Sequence, residues 1–167
     1  MRGIIPIVAI MLAASPAGAQ PVRVTSAYTS LDLDKCARID RGEEPQSASW
    51  RCKGFAGVPL FVQNGDDRYD VDAGREDADE LWADDFDYPG ATVEWRLARG
   101  KPFAIIYRLN SANPEAPKWS RLMVETIGRT APGCRVASID ARARNANAEA
   151  RRAADRVLSG AVRCLKP

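Results

Sequence analysis

Residues 58–72 read VPLFVQNGDDRYDVD, and this stretch decides the fold. The apolar run 58–63 and the return 68–72 both favour extended backbone. Asn64-Gly65 between them is the pair best suited to the positive φ of a tight hairpin turn. Working outward, 49–53 starts a strand before it. A second hairpin pairs 92–98 with 103–109 around Arg99-Gly100-Lys101-Pro102, and 119–127 follows a loop marked by Asn113-Pro114 and Pro117. Upstream, 22–28 is extended, Leu31-Asp32-Leu33 leads into Cys36, and 37–47, with Gly42, Glu43, Glu44 and Pro45, reads as a polar loop. Strands joined by short turns cannot cross over, so the sheet is mainly antiparallel and meandering. Trp50, Trp95 and Trp119 lie in these strands, where core packing is their default role.

After one more strand at 133–139 the period changes. Ala143, Ala146, Ala150, Ala153, Val157 and Ala161 recur at three- and four-residue steps while arginines fill the other face. This predicts one C-terminal amphipathic helix packed on the sheet and ending near Gly160, a residue suited to a left-handed cap. The class is α+β, one domain over 20–167.

Residues 1–19 read as a secretory signal peptide, with a positive start at Arg2, an apolar stretch at 4–14, and Ala17-Gly18-Ala19 as a cleavage site. The apolar stretch is too short for a membrane span. Cleavage before Gln20 leaves 148 residues, enough for one core, and a periplasmic or secreted location. The full chain carries 24 basic and 22 acidic side chains. So even a balance gives no general pull toward nucleic acid.

All four cysteines follow the leader, and in an oxidising compartment an even number reads as two bridges. Three pairings are possible. Cys36–Cys52 and Cys134–Cys164 are favoured because each closes a local loop, and each bridge would contribute about 3 to 4 kcal/mol in the chain-entropy model. There is no CxxC and no histidine. That excludes Ser-His-Asp and Cys-His nucleophile systems, an imidazole base and any His-containing zinc site. GxSxG, SxxK, GxGxxG and the phosphate-loop motif are also missing, and no cofactor or metal is expected.

Eleven of the 22 acids fall within 66–87. Asp70, Asp72, Asp77, Asp79, Asp84, Asp85 and Asp87 are the candidate binding residues there, either as oxygen ligands for calcium or as a carboxylate pair for glycoside hydrolysis. Asp70-Val71-Asp72-Ala73-Gly74 opens like an EF-hand loop. Gly74, Arg75 and Leu81 then stand where its third acid, its glycine and its glutamate belong, so it is not that motif. The plainer reading is a solvated loop whose acids face water while Leu81, Trp82, Phe86 and Tyr88 tuck under the sheet. The C-terminal region has the opposite charge, and Arg144, Arg151, Arg152 and Arg156 on the helix are candidates for docking an acidic partner, or an ordinary wet surface.

The pattern running from Trp50-Arg51-Cys52 through the 58–72 hairpin and 95–108 to the closing Cys134–Cys164 unit resembles a group of small uncharacterised exported bacterial proteins. That resemblance implies a compartment and no activity. In architecture the chain is also similar to the periplasmic inhibitors of C-type lysozymes, small disulfide-bonded antiparallel β domains. Those present a Ser-Gly loop and a later lysine to the lysozyme cleft. Here Ser159-Gly160-Ala161 lies at the expected helix end, so no inhibitory residue carries over. The expected function is a non-catalytic binding or inhibitor module for an envelope protein or cell-wall component. A carboxylate-dependent glycan hydrolase and a calcium-stabilised structural module are the alternatives.

Overall fold

A computed structural model describes residues 22–39, 47–76 and 85–165. The expected signal peptide therefore lies outside the described residues, as do Asp77, Asp79, Leu81, Trp82 and Asp84.

The strands are β1 (Val24–Ser30), β2 (Ala37–Arg38), β3 (Ser47–Phe55), β4 (Val58–Gly65), β5 (Arg68–Ala73), β6 (Asp87–Ala98), β7 (Lys101–Ser111), β8 (Ser120–Thr126) and β9 (Arg135–Asp140), followed by helix α1 (Ala146–Asp155). They form two antiparallel sheets rather than the single sheet expected. One has the order β1-β6-β7-β8-β9 and the other β2-β3-β4-β5. Every residue of the second sheet comes from the chain between β1 and β6. Both expected disulfides are formed, Cys36–Cys52 and Cys134–Cys164.

The five-stranded sheet is the middle layer. On one face Val93, Trp95, Ile105, Tyr107, Leu109 and Met123 pack against Leu60, Val62, Val71 and Ala73 of the other sheet. On its opposite face Ala104, Ile106, Leu122 and Val124 meet Ala146, Ala150, Ala153 and Ala154 of α1. Covering both faces accounts for the nearly unbroken apolar run 102–107, because a strand with one wet face would alternate. The alanine stripe lets the helix lie close. α1 passes into a single 3-10 turn, Arg156–Ser159, and stops at Gly160 in the left-handed conformation (φ 68°), as the sequence predicts.

The 58–72 hairpin forms, but its turn is not at Asn64-Gly65. Those residues pair with Tyr69 and Arg68 inside the ladder, and Asp66-Asp67 make the turn with φ of 53° and 56°. Burial decides the register. The observed pairing sets Val62 beside Val71 and Leu60 beside Ala73, four fully buried residues. A turn at Asn64-Gly65 would set Val62 beside Asp67 and Leu60 beside Tyr69. Aspartate is among the few residues besides glycine that enter the left-handed region readily, so the displaced turn costs little.

Gly54 is a close approach both within its own hairpin and across to the other sheet. A Cβ there would lie 2.0 Å from the Val58 carbonyl oxygen and 3.0 Å from the Trp95 ring. Trp95 is fully buried and donates its indole N–H to Thr29 Oγ1 (2.8 Å), so it has nowhere to retreat. Gly54→Ala is expected to cost about 1–3 kcal/mol, read as a lower urea midpoint at unchanged slope.

Candidate functional site

Within the described part of the acidic region Asp66, Asp67 and Glu76 face water as expected, but the orientation of five other residues is reversed. Asp70, Asp72 and Asp87 are buried, whereas Phe86 and Tyr88 are exposed. The cause is that β5 is covered on both faces. Val71 and Ala73 enter the apolar core, and the alternate residues Asp70 and Asp72 turn toward β7, β8 and β9. There the Arg135 guanidinium donates to Asp70 (2.6 Å) and to the Tyr107 hydroxyl (2.9 Å), and Tyr107 in turn donates to Asp70 (3.1 Å). Burial works against the Arg135 charge, but Tyr107 and Asp70 overcome it and hold the group above its ordinary value. Glu125 hydrogen-bonds Asp72, and its carboxyl is pushed well above the usual range by burial and then by the neighbouring Asp70 and Asp72 charges.

Asp87 joins the two sheets. Its Oδ1 accepts from the Tyr69 backbone N–H (2.8 Å), and its own N–H donates to the Asp67 carbonyl (2.9 Å). Only 1% exposed, it is pushed up to about 7 by burial, against the opposing pull of the Tyr69 N–H and Arg135. A glycan has no access to acids held in this way. Asp85, at the surface, accepts from its neighbour Phe86 N–H and from the Asn113 amide, both at 2.9 Å. Among the described residues no three acidic or thiol side chains are grouped to hold a metal ion.

The helix arginines divide. Arg151 is held by Glu94 (2.7 Å) and the Tyr28 hydroxyl (3.0 Å), next to a forked pair between Arg96 and Asp155 (2.8 Å), so it fastens α1 to β6 and is not a free docking group. Arg152 is exposed with Glu149 4.0 Å away. Arg144 and Arg156 are exposed, with no ion pair recorded among the described residues.

What the structure adds is an open cleft of about 380 Å³ at the Cys36–Cys52 bridge, lined by Thr29, Ser30, Asp32, Lys35, Lys53 and Gly54 together with the two half-cystines. β1 supplies the hydroxyls at its C-terminal end. The 3-10 turn Leu33–Lys35 supplies Lys35, whose ammonium donates to Asp32 (2.6 Å) and is held above its ordinary value by that hydrogen bond. A second hollow of about 340 Å³ shares Cys52, Lys53 and Gly54 and adds Arg51 and the β3–β4 turn. Lys35 and Lys53 were legible as a pair, because each is the sequence neighbour of a bridged cysteine, so closing the bridge brings both to one place.

Among the described residues no helix is long and apolar enough to cross a membrane. No protein-family model, no curated protein and no solved structure matches the chain.

Proposed function

We propose that the protein is an exported, disulfide-bonded binding module, acting without catalysis, that takes a carboxylate-bearing component of the cell wall in the cleft at Cys36–Cys52. The supporting observation is a division of labour among charges. Asp70, Asp72, Asp87 and Glu125 are locked inside the fold, while the open cleft offers two hydroxyls, Lys53, a second lysine paired with Asp32, and the surface of a disulfide. A concave site of this size with a few convergent polar groups suits a small ligand or one moiety of a polymer. Lysines flanking it favour an anionic group. Export follows from the leader at 1–19, cleaved before Gln20, into a compartment where both bridges persist.

Calorimetric titration with soluble disaccharide-peptide fragments of cell wall tests the reading. Saturable binding is expected, with fragments recovered intact by mass spectrometry and at least about tenfold weaker affinity in Lys53→Glu. Cleaved fragments, with cleavage lost in Asp85→Asn, would replace this reading with the hydrolase. Absence of binding would remove it.

A further inference from the structure

Four separate segments meet at one end of the five-stranded sheet. The register sets Val24 beside Ala98, Ala98 beside Lys101, Ala104 beside Thr126 and Glu125 beside Arg135, so the start of β1, the β6–β7 turn and the β8–β9 connection all lie there. The helix ends there too. Along α1, Arg151 reaches Glu94 and Asp155 reaches Arg96, in step with β6 running toward Ala98, and Val157 packs in the cluster that holds Phe103. The disulfide at Cys134 and the hydrogen bond from Leu165 N–H to the Arg135 carbonyl (2.8 Å) bring the tail to the same place.

Residues 22–24, 98–103, 127–133 and 156–165 contain no aspartate or glutamate. They contribute six exposed cations: Arg23, Arg99, Lys101, Arg129, Arg156 and Arg163. Among the described residues none of the six has an ion pair recorded, and the one acid next in sequence, Asp155, turns its carboxylate to Arg96. Val22 and Leu158 stand exposed at the same end, at 45% and 44%. Gly74 and Arg75 also lie against Gly128 at this end, and the exposed Glu76 that follows them has its carboxylate 3.5 Å from the Gln63 amide. In a chain of almost balanced charge, an end that is predominantly basic among the described residues, with apolar side chains between the cations, is a local arrangement and not a reflection of composition.

We propose that this end of the domain is a docking face for an anionic bilayer surface. Acidic headgroups above acyl chains offer partners for the arginines and for the two protruding apolar residues in one plane, whereas an acidic protein loop would use only the charges. The cleft is lined by Thr29 and Ser30, at the other end of β1, so the two surfaces are separate and either stands without the other.

The test is co-sedimentation of the processed protein, recovered from its host, with phosphatidylcholine vesicles that either lack or contain about a third phosphatidylglycerol. Binding to the anionic vesicles alone is expected, falling as salt rises from about 50 to about 300 mM. Lys101→Glu with Arg156→Glu should weaken it at least about thirtyfold. Lys118→Glu with Arg144→Glu makes the same change of net charge, with Arg144 just before α1 at the opposite end of the helix, and should alter it less than about twofold. No sedimentation at low salt, or equal losses in the two double variants, would overturn the proposal. So would release of the protein by soluble polyglutamate at matched charge, which would assign the face to an acidic polypeptide.

Discussion

Replacing Arg135 with methionine is expected to lower the unfolding free energy by about 3–5 kcal/mol, the usual consequence of removing one partner from a buried ion pair. Arg135 is 5% exposed and sits among Asp70, Asp72, Glu125 and Tyr107, and its guanidinium donates to Asp70 and to the Tyr107 hydroxyl. Without it the buried Asp70 carboxylate loses the guanidinium that donates to it, beside the carboxyl groups of Asp72 and Glu125. The loss should be conditional on Asp70. In Asp70→Leu/Arg135→Met both charges are gone, so the double variant should be more stable than Arg135→Met alone, because well-packed apolar residues often replace a buried pair at little cost. Urea unfolding of the two single variants and the double variant at one pH measures the coupling. A loss below about 1 kcal/mol in Arg135→Met, or strict additivity, would show that the cluster does not hold the sheets together.

The second large effect is a pH dependence in an unusual direction. Asp87 has a folded value of about 7, well above an unfolded aspartate near 3.9. Between those values the folded chain holds a proton that the unfolded chain has lost, so stability falls as pH rises. The contribution is fully present below about pH 4 and lost once pH passes about 7, and over that window it amounts to at most about 4 kcal/mol. Glu125 is shifted in the same direction and adds to the slope. Asp87→Asn keeps an acceptor for the Tyr69 N–H and removes the titration. It should match the wild type near pH 4 and be the more stable protein at pH 8. Urea midpoints at four pH values across this range check it, and parallel profiles for the two proteins would assign the dependence to other groups.

Much of the fold was legible because its signals are local. Gly160 marks the helix end, the alanine step marks the buried face of α1, and Arg99-Gly100 marks the β6–β7 turn, with both residues at positive φ (51° and 76°). Of the three possible disulfide pairings, the one favoured for its short local loops is the one formed. The error at Asn64-Gly65 has a physical source. Local turn preference favours Asn64-Gly65 over Asp66-Asp67, and the register was decided against it by which residues reach the core, a tertiary matter.

The site was less legible, for the same reason. Alternation in Tyr69-Asp70-Val71-Asp72-Ala73 identifies the face of β5 that joins the apolar core, but not that the opposite face is buried too. That depends on Glu125 and Arg135, far along the chain, coming alongside. Glu125 stands in the apolar stretch Leu122-Met123-Val124-Glu125-Thr126-Ile127, and an acid in such a run is the one local sign that a buried polar partner exists elsewhere. Likewise Arg151 looks like its exposed neighbour Arg152 in sequence, and only the helix position over Glu94 separates them.

Hydrogen exchange with and without cell-wall fragments is the most direct test of where this protein meets its ligand. Slower exchange confined to residues 29–36 and 51–54 is the expected result, with 69–73 unchanged because that strand is already closed within the fold. Protection that instead appears across 66–87 and leaves the cleft untouched would contradict the account, returning the acidic region to the role of binding site.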